Sequence, residues 1–154
     1  MIYSIKEFEK FDKVKSKVLK YVLYKKRTEQ EVRQKFSKEF EENILEDVIE
    51  DLKESKYIDD SNYIERTISE FISLKSLSIK EIKYKLYSKG LRGGLIDDYV
   101  SKHEDELIEY EKKSAYKIAH KKKSNMDDDE IKVYMMKKGY SDESIRYALT
   151  GEDN

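Results

Sequence analysis

Residues able to do chemistry are few in this chain, and their settings are wrong for catalysis. His103 and His120 stand seventeen residues apart and no cysteine occurs, which removes disulfides, thiolate nucleophiles and thiolate metal ligands together. Neither histidine lies in an H-E-x-x-H pattern, so each reads as a surface or helix-terminal residue. Asp59-Asp60 and Asp127-Asp128-Asp129 gather carboxylates without the glycine and alternating ligands of a calcium loop. Helix-start capping accounts for both runs, with Asp60 and Asp127 as the caps. Gly90-Leu91-Arg92-Gly93-Gly94 is the only glycine-rich stretch. It lacks the Gly-Lys-Ser/Thr ending of a phosphate loop, so it reads as a turn between helices. The residues point to no enzyme, no metal and no cofactor.

The cations carry more information. Lys35, Lys85 and Lys89 fall on the flank of apolar helical stripes, with Arg92 just beyond a turn and Lys25, Lys26 and Arg27 just before a helix start. Lysines repeated at a module spacing can follow a phosphate backbone or an acidic protein groove. A merely solvated helix face has the same composition, and the residues alone leave both readings open. Tyr21, Tyr24, Tyr84 and Tyr87 could stack on unpaired bases, but the favoured reading places their rings on the core rim with the hydroxyls in water.

The elements that must position these residues repeat. Thr28-x-x-Glu31-Val32-x-x-Lys35-Phe36, Ser78-x-x-Glu81-Ile82-x-x-Lys85-Leu86 and Asp127-x-x-Glu130-Ile131-x-x-Tyr134-Met135 begin 50 and 49 residues apart. Each opens with a capping box: a cap side chain accepts a backbone N–H, and a glutamate three residues on reaches back. Lys89-Gly90-Leu91 and Lys138-Gly139-Tyr140 end two of the short helices with a left-handed glycine. The first copy has Glu39-Phe40 instead and must close differently. Apolar spacing predicts a second helix after each turn (41–55, 92–103 and 141–149) and a third before each cap (13–25, 60–74 and 105–123). Self-similarity at a fixed period points to stacked modules. The expected fold is all-α, with three tandem three-helix repeats (13–57, 58–103 and 104–150) in an elongated array.

Composition agrees. Charged residues make up 42% and apolar ones 38% of the 154-residue chain, with no proline, which suits thin helical layers more than one deep core. Net charge is −1, yet the signs alternate along the chain: residues 10–38 carry eleven Lys/Arg against three Asp/Glu, and 39–70 carry three against twelve. If equivalent helices line one face, that face is basic although the whole is neutral. No apolar run is long enough to span a membrane, and the start Met1-Ile2-Tyr3-Ser4-Ile5-Lys6-Glu7 lacks a signal-peptide core. The expectation is a soluble, cytoplasmic protein.

These residues resemble a known family. Lys26-Arg27-Thr28-x-x-Glu31-Val32-x-x-Lys35-Phe36, Tyr57-Ile58-Asp59-Asp60-x-x-Tyr63, Ile82-x-x-Lys85-Leu86-x-x-Lys89-Gly90-Leu91 and Lys138-Gly139-Tyr140 are similar, in order, to the RecX family, modulators of the bacterial recombinase RecA. The resemblance covers about residues 18 to 149 and implies tandem three-helix repeats in a curved, elongated molecule. It further implies binding to the RecA filament on single-stranded DNA, with inhibition or modulation of recombination, ATP hydrolysis and co-protease activity and a direct, weak DNA contact; a monomer is expected. RecA- and DNA-binding would then fall to Lys25, Lys26, Arg27, Lys35, Lys85, Lys89 and Arg92, with no cofactor. The chain departs from the family pattern in its first turn, at Tyr134 where the other copies have lysine, and in a shorter N-terminus, from which an added contact region is expected to be missing. A nucleic-acid-binding helical module acting without RecA, and a helical scaffold for another protein, are the competing readings.

Overall fold

Cap chemistry, apolar spacing and turn glycines place the helices close to where the sequence puts them. The computed structural model describes residues 4–152; Met1–Tyr3, within the stretch read for a leader, and Asp153–Asn154 lie outside the described residues. Among the described residues there are nine α-helices and no strand: α1 (Ile5–Tyr24), α2 (Glu29–Phe36), α3 (Glu42–Glu54), α4 (Asp60–Leu74), α5 (Ile79–Tyr87), α6 (Gly93–Lys102), α7 (Glu104–Lys122), α8 (Asp128–Lys137) and α9 (Asp142–Thr150). None of them is long and apolar enough to cross a membrane.

All three capping boxes form. Thr28, Ser78 and Asp127 accept the N–H of Glu31, Glu81 and Glu130, and each glutamate accepts the N–H of its cap residue. These short helices would not persist alone in water; the caps fix where they start and their buried stripes hold them. The stripes are Val32 and Phe36, Ile82 and Leu86, and Ile131 and Met135.

The first helix is longer than its apolar spacing predicts, starting at Ile5. Ser4 accepts the N–H of Glu7 and donates to the Glu7 carboxylate, so a fourth S-x-x-E cap opens it. Ile5 and Phe8 on that extension are exposed, which is why apolar periodicity alone places the start later.

The chain divides into two compact units. The first runs to Tyr63 and includes Lys89–Leu91. Its core joins Val14, Val18 and Val22 of α1 to Val32 and Phe36 of α2 and to Leu45, Val48, Ile49 and Leu52 of α3, with Ile58 beyond. The first turn, with no glycine, closes through the N–H groups of Glu39 and Phe40, both donating to Phe36 O at 3.0 Å. Phe40 then stacks on Phe36 with centroids 5.6 Å apart. Arg33 of α2 is tied to Glu29 and to both carboxylate oxygens of Glu46. The Glu46 hydrogen bond, opposed by burial and helped by Glu29, raises the guanidinium pKa further above its ordinary value. Burial would raise the Glu29 carboxyl, but Arg33 and Lys53 hold it below its usual range.

Lys56, after α3, is the one non-glycine residue with positive φ among those described (φ 67°). The reversal lets the N–H groups of Tyr57 and Ile58 reach Leu52 O at 2.9 and 3.1 Å. A side chain in that region costs about 1–2 kcal/mol, part of which glycine recovers. Lys56→Gly is therefore expected to stabilise the protein by about 0.5–1 kcal/mol, read as a higher urea midpoint with an unchanged slope.

The second unit takes Ile64–Ser88 and the chain from Arg92 onward. Part of its core is small side chains of α7, Ala115 and Ala119, against Ile131 and Met135 of α8, Tyr140, and Ile145 and Ala148 of α9. Tyr140 is anchored by a 2.8 Å hydrogen bond with Ser114. Burial pushes its hydroxyl pKa well up, against the smaller opposing effect of that bond.

Candidate basic interface

The cap hydroxyls do a second job that positions the lysine-bearing turns. Thr28 Oγ1 donates to Lys89 O at 2.9 Å, and Ser78 Oγ to Lys138 O at 2.7 Å. Both hydroxyl residues are fully buried. Each clamps the carbonyl just before a turn glycine, Gly90 or Gly139, so the adjoining lysine side chains are fixed at their roots. Asp127 caps α8 but, as a carboxylate, has no proton to donate in this way.

Two carboxylates, one half-buried and one buried, complete the scheme. Asp60 Oδ1 accepts the N–H of Glu29 at 3.0 Å, and Glu111 Oε2 that of Ile79 at 2.9 Å. In each case an acid from a later helix satisfies the first N–H of a capped helix, where the helix dipole favours negative charge. Glu111 Oε1 also accepts the N–H of Ser141 at the start of α9. Asp60 is therefore not the cap of α4 that the sequence reading made it. Asp59 accepts the N–H of Asn62 at 3.1 Å and fills that role. Burial raises the Asp60 carboxyl pKa, against the lowering effect of the Glu29 N–H.

In the first unit, the cations predicted to bind divide by environment. Lys25, Lys35 and Lys89 are exposed, and Lys26 is exposed with its Nζ on Asn62 Oδ1. Arg27 is half-buried, with its guanidinium 4.1 Å from the Tyr21 ring centroid and its buried Nε without a hydrogen-bond partner. Lys35 Nζ lies 5.9 Å from the same ring, and Tyr21 packs edge-on against Phe36 with centroids 5.4 Å apart. Tyr21 thus brings Arg27 and Lys35 onto one aromatic post.

In the second unit, Lys85 and Arg92 are both exposed but part company. Lys85 lines an open groove of about 490 Å³ between α5 and the turn after α8, together with Lys80, Tyr84, Ser88, Lys137 and Lys138. Arg92 stands at the start of α6 without lining that groove. Sequence reasoning missed Lys80, Lys137 and Lys138. The signal available for the last two was their place beside the Gly139 turn, matching Lys89 beside Gly90. Tyr134, which stands where the other copies have lysine, is itself faced by Lys122 Nζ at 4.8 Å and Lys138 Nζ at 5.7 Å from its centroid.

The tyrosines divide as well. Tyr21 and Tyr87 are anchored, the latter donating to Asp97 at 3.2 Å. Tyr24 and Tyr84 are 86% and 74% exposed, so the core-rim reading fails for both. Their positions face away from the stripes Val14, Val18, Val22 and Ile82, Leu86 that the neighbouring helices cover. Among the described residues no group of three or more His, Cys, Asp or Glu could hold a metal ion.

The fold and site define an all-α protein built on recurring capped helices that carry exposed cations outside ion pairs among the described residues. No protein-family model matches the chain. It is 33% identical over 150 residues to the regulatory protein RecX of Clostridium beijerinckii, covering 91% of this chain and 68% of that one. Identity to the RecX proteins of Streptococcus mutans and Staphylococcus carnosus is 29% and 31% over 97% of this chain. The chain spans 59% and 57% of the length of those two relatives. The fold matches the crystal structure of RecX from Lactobacillus salivarius with a TM-score of 0.82 at 22% identity, covering 93% of this chain and 96% of that one. A second RecX crystal structure matches at a TM-score of 0.78 and 23% identity, over 93% of this chain and 74% of that one. The chain belongs to the RecX family.

Proposed function

We propose that the protein is a non-enzymatic regulator that binds the RecA filament on single-stranded DNA and restrains RecA recombinase, ATPase and co-protease activities, acting as a cytoplasmic monomer in recombination, DNA repair and the SOS response. Family membership supports the assignment, and the observation that carries the binding mode is the state of the cations. Lys25, Lys35, Lys85, Lys89 and Arg92 are exposed, and none forms an ion pair among the described residues, whereas Lys15, Lys17, Arg33 and Lys53 are paired with acids of the same unit. Such cations are available to an anionic partner without first breaking an internal ion pair. In this reading the chain is three repeats, 13–57, 58–103 and 104–150, that touch successive sites on the filament, with these five cations in the first two. Contacts that are weak singly then combine through a high effective concentration, so assembled filaments are bound in preference to free RecA.

The test is RecA's ATPase rate on single-stranded DNA, titrated with the protein, beside an anisotropy assay on the same DNA without RecA. Inhibition is expected at concentrations well below those that bind bare DNA. The combined variant Lys25→Glu, Lys35→Glu, Lys85→Glu, Arg92→Glu is expected to need about tenfold more protein for half-inhibition, a loss of about 1.4 kcal/mol. Unchanged inhibition by that variant would remove these residues from the interface. Inhibition that tracks bare-DNA binding would replace filament recognition with simple competition.

A further inference from the structure

Lys80, Tyr84 and Ser88 recur every four residues and so share one face of α5. Lys85 flanks them, and across the groove stand Lys137, the last residue of α8, and Lys138, whose carbonyl is clamped by Ser78. Gly139 has φ +89°, and a Cβ there would lie 2.9 Å from Lys80 Cβ. The turn therefore seats directly on α5, and the groove walls are set by that contact. All four lysines are exposed, and among the described residues none of them pairs with a carboxylate. Glu81, the one acid lining the groove, is occupied in the capping box of α5. Amid these cations Tyr84 presents a ring that is 74% exposed and touches no other aromatic ring among the described residues.

We propose that this groove binds single-stranded nucleic acid directly, taking one unpaired base on the Tyr84 ring and the flanking phosphates on Lys80, Lys85, Lys137 and Lys138. An aromatic face beside a cationic track is the combination that holds unpaired bases, because every base offers a π-face and every linkage a negative charge. A duplex, with its bases stacked inside, would use the lysines and leave Tyr84 idle. An acidic peptide would do the same. The inference deepens the proposed function: it rests on the cationic surface meeting the filament's DNA, and it adds that the contact reads unstacked bases.

The experiment is fluorescence anisotropy of the full chain with labelled oligothymidine, an abasic oligomer of equal length, and polyglutamate, at several salt concentrations. Tyr84→Leu is expected to weaken oligothymidine binding about tenfold, the scale of one base stack, while Tyr84→Phe binds as the parent does. Neither change should alter binding to the abasic oligomer. Lys80→Glu with Lys137→Glu should weaken binding to both oligomers and lower the salt slope by about one to two. Equal affinity for oligothymidine and the abasic oligomer, or no effect of Tyr84→Leu, would overturn the base contact. Polyglutamate binding as tight as oligothymidine would overturn the nucleic-acid assignment in favour of an acidic protein. Lys80 and Lys137 are absent from the set reversed in the ATPase test. RecA inhibition that survives Tyr84→Leu and the Lys80/Lys137 pair while DNA binding shows no dependence on them would sink this inference alone.

Discussion

Gly90→Ala is expected to destabilise the protein by about 2–4 kcal/mol, whereas Gly94→Ala, four residues on, is expected to stabilise it by up to about 1 kcal/mol. The two glycines differ in backbone and in neighbours. Gly90 has φ +79°, and a Cβ there would lie 2.4 Å from Gln30 Cγ and 2.5 Å from Gln30 Cβ. The Gln30 tip can swing away, but its Cβ is fixed to the backbone of α2, so the turn itself would have to retreat. Retreat would stretch the Thr28–Lys89 hydrogen bond of 2.9 Å and strand a hydroxyl that is fully buried. Left-handed strain and the lost bond, each costing about 1–2 kcal/mol, therefore act together with the clash that forces the retreat. Gly94 lies in α6, and a methyl added there would meet nothing within 4 Å, so alanine only improves helix propensity. Urea unfolding of the two variants, compared at a common slope, checks both signs. Equal effects at the two sites would mean that the turn at Gly90 does not rest on α2.

Glu111→Ala is expected to cost about 3 kcal/mol. Glu111 is 3% exposed, and its carboxylate accepts two backbone N–H groups, from Ile79 and Ser141, both at 2.9 Å. Alanine would leave two helix-start donors without their partner, and each unsatisfied buried donor costs about 1–3 kcal/mol. It would also withdraw a negative charge from the positive ends of α5 and α9. Glu111→Gln keeps one carbonyl acceptor and turns an NH₂ toward the other donor, so its loss should fall between zero and that of alanine. Denaturant unfolding monitored by circular dichroism ranks the three proteins. A Gln variant worse than Ala would show that the two N–H groups find other partners once the carboxylate is gone.

Lys80, Lys137 and Lys138 show where legibility of the site ended. Lys85 stands out in the sequence because it recurs at the same place in a repeated motif as Lys35. Lys137 and Lys138 become its neighbours only when the turn after α8 seats on α5, a contact between residues 60 apart in the chain at Ser78 and Lys138. Arg92, close to Lys85 in sequence, does not share its groove. For the tyrosines, helical spacing could not say which side would be covered, because that depends on which neighbouring helix arrives.

By itself the sequence determined the starts of the three capping-box helices, the apolar stripes and the two glycine turns. Those features depend on interactions spanning three or four residues: a cap oxygen and an N–H one turn away, side chains stacked on one face, a φ that only glycine adopts cheaply. Tertiary structure alone decided that Asp60 serves Glu29 and not its own helix, and that Glu111 bridges two helix starts. It also decided that the cap hydroxyls of Thr28 and Ser78 clamp turns sixty-one and sixty residues away. Each of these pairs a local donor or acceptor, which any cap would supply, with a partner that becomes unique only after packing has removed water from both.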